Sequence, residues 1–415
     1  RGLGDVYKRQ MLYERYLRAY AEQFRKTDRN MWNYEDGCVL IGLRALYQAT
    51  GDAFYFDVLN SFMERYIEPD GTIRRYVAEE YNLDYIPAGC ALYTLYDETG
   101  ESRYRKAIET LEEQLRHQPR TPCGSFWHKG IYPNQVWLDG LYMGLPFHAA
   151  YALRFGDAAT LDDIMLQFRN ARKYLYDGKT GLYYHAWNET KDVFWADPKT
   201  GLSQNFWTRA IGWYLMAMAD IYAMLPDSRA DLQKELAALW KEAIDGMLRW
   251  QEPDSGLFYQ LPALPDVKGN YLETSGSLMV AYSLLKGARL GVLAEPKYRA
   301  AGEKILVGIE LRQFTVHDGK VELHGICKGA GLGPAGNLRR NGTVEYYLSE
   351  DVVHDEQKGV GVCMMAYAEY LQAKQAGALT DDFPKVEIFN KGYDPIMPGD
   401  PAFIAFEKNR VGKTG

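Results

Sequence analysis

Two short segments set a carboxylate beside large aromatic rings, a pairing suited to proton transfer on a sugar. In Trp137-Leu138-Asp139-Gly140-Leu141-Tyr142-Met143-Gly144, Asp139 stands between Trp137 and Tyr142 at the head of a long apolar run. Gly140 and Gly144 leave room there for a close approach. In Tyr81-Asn82-Leu83-Asp84-Tyr85, Asp84 also stands at an expected helix start. Two readings of Asp139 are open: a cap for free helix N–H groups, or a catalytic carboxylate. The flanking rings weigh towards the second, because capping does not need them. Two carboxylates brought to one cleft would push one pKa up, keeping a proton available to a general acid near neutral pH.

A third cluster combines His185, Trp187 and Trp195 with Trp207, Arg209 and Trp213. Stacked rings would hold a flat sugar face, and a guanidinium can grip a carboxylate through two hydrogen bonds. The plainer reading of Arg209 and Trp213, four apart, is a cation–π pair on one helix face. His128-Lys129 adds cationic donors, although such a pair is usually solvated. The 14% aromatic content, with 32 Tyr and 9 Trp, fits either sugar stacking or a tyrosine-rich core. The seven histidines show neither HxH nor HxxxH spacing, so no metal or other cofactor is expected. Gly329-Ala330-Gly331-Leu332-Gly333-Pro334-Ala335-Gly336 lacks the Gly-Lys-Ser/Thr of a phosphate loop and reads as a rim loop over the cleft.

These residues need a scaffold, and the apolar period is close to that of a helix. The pattern predicts helices over about 11–27, 36–50, 52–67, 84–98, 101–117, 138–155, 158–175, 205–225, 230–250, 273–290, 296–311 and 358–376. Ala49-Thr50-Gly51-Asp52 and Glu98-Thr99-Gly100-Glu101 carry the signals of tight helical hairpins, with Gly ending one helix and a polar neighbour starting the next. Between helix pairs a Gly leading into extended residues recurs at Gly71, Gly124, Gly181, Gly256 and Gly319. Twelve helices in six repeated pairs predict an all-α, (α/α)6 barrel, with the Gly stretches as arms on one rim. A ring buries every repeat against its neighbours, so residues 11–380 read as one catalytic domain, with 381–415 as a C-terminal extension. Two bundles joined near Pro226 are the alternative, but no Pro/Gly/Ser-rich linker stands there. Arg1–Gln10 shows no helical pattern continuous with residues 11–27, resembles adaptor-derived sequence, and is set aside.

The net charge of −7, with no basic run, argues against nucleic acid as a partner. No apolar run is long enough for a membrane span. Five scattered cysteines without a CxxC favour a reducing compartment, hence the cytoplasm, or the periplasm if an export segment preceded this chain.

Four of these segments, taken in order, resemble the unsaturated rhamnogalacturonyl hydrolases of glycoside hydrolase family 105, relatives of the unsaturated glucuronyl hydrolases of family 88. The carriers are YNLD at 81–84, WLDGLYMG at 137–144, GLYYHAW at 181–187 and NFWTRAIGWY at 205–214, within a resemblance running from about residue 32 to about 371. The resemblance implies an (α/α)6 barrel, no metal, Asp139 as general acid and Asp84 as its partner. It implies a sugar site lined by His128, Lys129, His185, Trp207, Arg209 and Trp213, to which Trp137 and Tyr142 are added as flanking rings. The implied substrate is a lyase-derived oligosaccharide ending in a 4,5-unsaturated uronic acid, with unsaturated galacturonyl-rhamnose first and glucuronate-containing fragments second. Protonation of the enol ether at C4, addition of water at C5 and ring opening would release the sugar without attack at the anomeric carbon. A sugar epimerase on the same barrel would instead need paired histidines and give an isomerised sugar. A carbohydrate-binding protein would leave the alkene intact.

Overall fold

Each expected hairpin signal does local work. Gly51 and Gly100 both take φ of 68° and end their helices, and Asp52 accepts a hydrogen bond from Phe54 N to start the next one. The computed structural model describes residues 2–29, 31–156, 159–317 and 319–376. Its helices are α1 Gly2–Lys26, α2 Tyr34–Thr50, α3 Ala53–Tyr66, α4 Cys90–Thr99, α5 Ser102–His117, α6 Leu138–Phe155 and α7 Ala159–Leu175. The chain continues through α8 Thr208–Met224, α9 Ala230–Leu248, α10 Thr274–Arg289, α11 Pro296–Arg312, α12 Val344–Ser349 and α13 Gln357–Gln375.

Burial sorts them into two rings. Along α6, α8, α10 and α13 nearly every residue is buried, as in helices packed on all sides. In contrast, α5 buries a stripe of Tyr104, Ala107, Ile108, Leu111 and Leu115 and turns most of its charged residues outward, Glu112 excepted, which is buried against His148 of α6. The inner ring runs α2, α4, α6, α8, α10, α13, and α13 packs back on α2. Gly42 and Gly361 permit that closing contact: a Cβ on Gly361 would lie 2.4 Å from the Cys38 carbonyl. Outside stand α3, α5, α7, α9 and α11, each beside the inner helix that precedes it, while α1 packs on α13 through the stacked rings of Tyr13 and Tyr367. The all-α (α/α)6 architecture is therefore present.

Three differences from the sequence reading have local causes. The helix α1 starts at Gly2, so the leader set aside as non-helical continues into it. Asp84 belongs to a 3-10 turn, Leu83–Tyr85, because Pro87 delays the α-helix until Cys90. The short α12 is an addition to the twelve, inside the long connection between α11 and α13. The expected extension over 381–415 lies outside the described residues.

All five recurring glycines adopt positive φ, between 74° and 94°. Each comes after an outer helix. Gly71, Gly124, Gly181 and Gly319 turn a short two-stranded arm or a single bridge, such as Ile67 with Ile73 and Arg120 with Phe126, while Gly256 stands two residues before Phe258–Tyr259, which pairs with Leu272–Glu273. The arms thus sit at the mouth where inner helices begin.

Candidate active site

A string of backbone hydrogen bonds across this mouth positions the chemistry. Leu83 N donates to His128 O, and His128 N donates to Gln135 O. Gln135–Trp137 then pairs antiparallel with Ala186–Asn188, Trp137 facing Ala186, and Leu138 N donates to His185 O. Four segments far apart in sequence therefore present Asp84, His128, Asp139 and His185 side by side. Asp84, His128, Lys129, Trp137 and Asp139 line one cavity of about 500 Å³, together with Tyr34, Tyr132, Met143 and the loop residues Gly329, Ala330 and Gly331. The loop expected over the cleft is thus part of its wall.

The two carboxylates meet different neighbours. Lys129 Nζ lies 2.5 Å from Asp84 Oδ2, and His128 Nε2 lies 3.4 Å from Asp84 Oδ1. Burial alone would raise the Asp84 carboxyl, but Lys129 and His128 hold it below the usual carboxylate range. Burial also pushes His128 down to about 4, so near neutral pH Lys129 is the lasting counter-charge. The sequence expectation that crowding by a second carboxylate dominates is corrected for Asp84, since the ammonium outweighs it. The expectation that His128-Lys129 is solvated is corrected as well: His128 is 3% exposed and Lys129 is paired with Asp84.

Asp139 sits one residue into the first turn of α6, whose N-cap is Trp137 and has no side-chain cap bond. The capping reading therefore fails: Asp139 Oδ2 is buried without a hydrogen bond of good geometry. Its neighbour is His185 Nε2 at 3.1 Å. On the other side of that ring, His185 Nδ1 lies 2.6 Å from the Tyr347 hydroxyl. An imidazole that accepts from Tyr347 at Nδ1 presents its Nε2–H to Asp139. Among the described residues no Lys or Arg forms an ion pair with Asp139.

One wall is aromatic. His128 stacks on Trp137 with centroids 4.5 Å apart, and Tyr132 stacks on the same indole at 4.8 Å. Gly140 makes room for the imidazole: a Cβ there would lie 3.0 Å from His128 Nδ1.

Other expected site residues lie behind this surface. Trp207 packs against His185 and donates from its indole to Gln260. Tyr142 stacks on Trp213 at 4.9 Å, both buried. Arg209 is 1% exposed; it donates to the Cys327 carbonyl at 2.5 Å and to Ser275 at 3.2 Å. The ring under its guanidinium is Trp207 rather than Trp213. None of these five, counting His185, lines the cavity. Sequence reading missed Tyr132 and Arg340, which also line the cavity, and Tyr347, which meets His185. Tyr132 stands just beyond His128-Lys129 on the same arm and was legible as one more rim aromatic. Tyr347 and Arg340 come from the connection before α13 and carry no spacing signal. Glu322, His354 and Asp355 bring three donor atoms within 4.8 Å of one another, but none lines the cavity and Asp355 already accepts from Tyr16 and Leu323 N.

A helical toroid with paired aspartates and stacked rings at one mouth defines a class of carbohydrate-active enzyme. The chain belongs to glycosyl hydrolase family 88, whose sequence profile matches residues 9–374. It is a glycoside hydrolase of the group that contains the unsaturated glucuronyl and rhamnogalacturonyl hydrolases. A family 105 glycoside hydrolase from Clostridium acetobutylicum (C. acetobutylicum ATCC 824) superimposes with a TM-score of 0.82 at 41% identity, covering 86% of this chain and 99% of that one. Protein Atu3128 of Agrobacterium fabrum is 40% identical over 233 residues, 55% of this chain and 98% of its own length. The unsaturated rhamnogalacturonyl hydrolase YesR of Bacillus subtilis is 26% identical over 269 residues, 62% of this chain and 72% of its own length. No described helix is long and apolar enough to cross a membrane.

Proposed function

We propose that the chain removes a terminal 4,5-unsaturated galacturonic acid from lyase-generated rhamnogalacturonan fragments, with Asp139 as the acid and Asp84 as a standing carboxylate. The observation that carries this reading is the unequal pairing of the two aspartates in one cavity. Asp84 is tied to Lys129 and stays ionised at neutral pH, so it is a poor proton donor. Asp139 has no such cation and faces His185, which can orient it.

In the step proposed, the Asp139 O–H proton adds to C4, and the C4=C5 electron pair forms the new C–H bond. Positive charge develops at C5 and the ring oxygen, and the ionised Asp84 stabilises it. Water adds at C5 and returns a proton to Asp139. The hemiketal opens, and the glycosidic bond breaks as the former anomeric carbon becomes an aldehyde. The distance rule that separates retaining from inverting glycosidases has no bearing on such a reaction. The wall of His128, Trp137 and Tyr132 suits the flattened ring. YesR, named for rhamnogalacturonyl substrates, supports galacturonyl-rhamnose over glucuronate fragments. Five free cysteines support a reducing compartment, in keeping with a cytoplasmic enzyme that receives imported fragments.

A panel of lyase-generated disaccharides, monitored by loss of the alkene absorbance, tests the reading. Unsaturated galacturonyl-rhamnose should be consumed fastest, giving a keto-uronate and rhamnose by NMR. Preferred turnover of a glucuronyl disaccharide would replace the substrate, and an isomerised sugar would sink the mechanism.

A further inference from the structure

The cations around the cavity are almost all paired. Lys129 is paired with Asp84, Lys328 with Asp351 at 3.3 Å, and Arg339 with Glu350 at 2.8 Å. Arg209, the guanidinium first expected to hold a substrate carboxylate, is buried on Cys327 and Ser275. Arg340 differs from all of them. It lines the cavity, it is half-buried, and among the described residues its guanidinium has neither a hydrogen bond nor an ion pair.

Its place is set by the loop before α12. Gly333 N donates to the Arg340 carbonyl, and Gly331 N donates to the Tyr346 hydroxyl, fastening the loop on both sides. A Cβ on Gly331 would lie 3.1 Å from Arg340 Nη1 and 3.3 Å from the Trp137 ring. One glycine is thus all that separates the guanidinium from the indole of the aromatic wall. Lys129 lies close enough for the charge of Arg340 to oppose its protonation. A partly desolvated cation without a partner is costly, and an arriving carboxylate removes that cost while accepting two parallel hydrogen bonds.

We propose that Arg340 is the specificity residue that recognises the C6 carboxylate of the terminal uronate, presented by the loop over Trp137. This assignment rests on the uronate reading above, but its test separates the two. The probe is the unsaturated galacturonyl-rhamnose disaccharide as the free acid and as the C6 methyl ester, titrated calorimetrically into Asp139→Asn protein with and without Arg340→Gln. The acid should bind more tightly than the ester, and Arg340→Gln should weaken acid binding about tenfold or more while leaving the ester unchanged. Arg340→Lys should fall between, since it keeps the charge and loses the planar fork. Equal binding of acid and ester, or an Arg340→Gln loss that is the same for both, would overturn the assignment. Failure of wild-type protein to consume the alkene would overturn the uronate hydrolase reading instead, whatever the calorimetry gives.

Discussion

Asp84 and Asp139 enter one cavity from neighbouring elements, yet their surroundings have little in common. Asp84 lies in a 3-10 turn capped by Asn82, and an ammonium and an imidazole stand against it. Asp139 lies in the first turn of an α-helix and meets one imidazole, itself held by a tyrosine. A carboxylate that must stay charged needs a permanent cation, whereas one that must give and regain a proton needs a partner that orients it without fixing its charge. The contrast teaches that neighbours can give two identical side chains different charge surroundings, and the division of roles proposed above rests on that difference.

The largest expected effect comes from Asp139→Asn. The shape is preserved and no cap is lost, so thermal stability should change little, while turnover should fall at least ~10²-fold. Alkene-loss kinetics beside a thermal melt check this, and near-normal turnover would end the division of labour. Next comes Lys129→Met, expected to lower kcat/KM about tenfold through the loss of one charge-assisted contact. The sign of its pH effect comes from the causes. Lys129 is what holds the Asp84 carboxyl low against burial, so its loss raises that pKa and moves the acidic limb of the kcat/KM profile to higher pH. In an Asp84→Asn background the same substitution should leave the acidic limb where it was. A limb that moves equally in both backgrounds would detach Lys129 from Asp84.

Tyr347→Phe should reduce kcat by roughly two- to tenfold with KM nearly unchanged, the worth of one hydrogen bond of about 0.5–1.5 kcal/mol that steadies His185. A change in KM alone would mean that Tyr347 shapes binding rather than proton transfer. The smallest effect on activity is expected from Arg209→Lys. Its partners are the Cys327 carbonyl and Ser275, so urea unfolding should show a loss of about 1–3 kcal/mol. KM for acid and ester substrates should shift alike. A selective loss on the acid would return Arg209 to substrate recognition.

Much of this arrangement was legible in the order of the residues. The helical period, Gly51 and Gly100 as stops, and the five glycines with positive φ depend on neighbours a few residues away. The same holds for Asp139 at the head of α6. The start of α4 was misplaced because Pro87 outweighs the apolar pattern around Asp84. The helical continuation through residues 2–10 was not legible because it leaves little mark in a short stretch of mixed composition.

By itself, then, the sequence determined the elements and brought carboxylates and rings to the same rim, since periodicity and turn chemistry are local. Only the tertiary structure decided which charge answers which. Lys129 turns to Asp84, and Arg209 disappears beneath Trp207. His185 finds Tyr347, 162 residues away. The destination of a long charged side chain depends on what the folded chain brings within a few ångströms of it, and on how much water remains there.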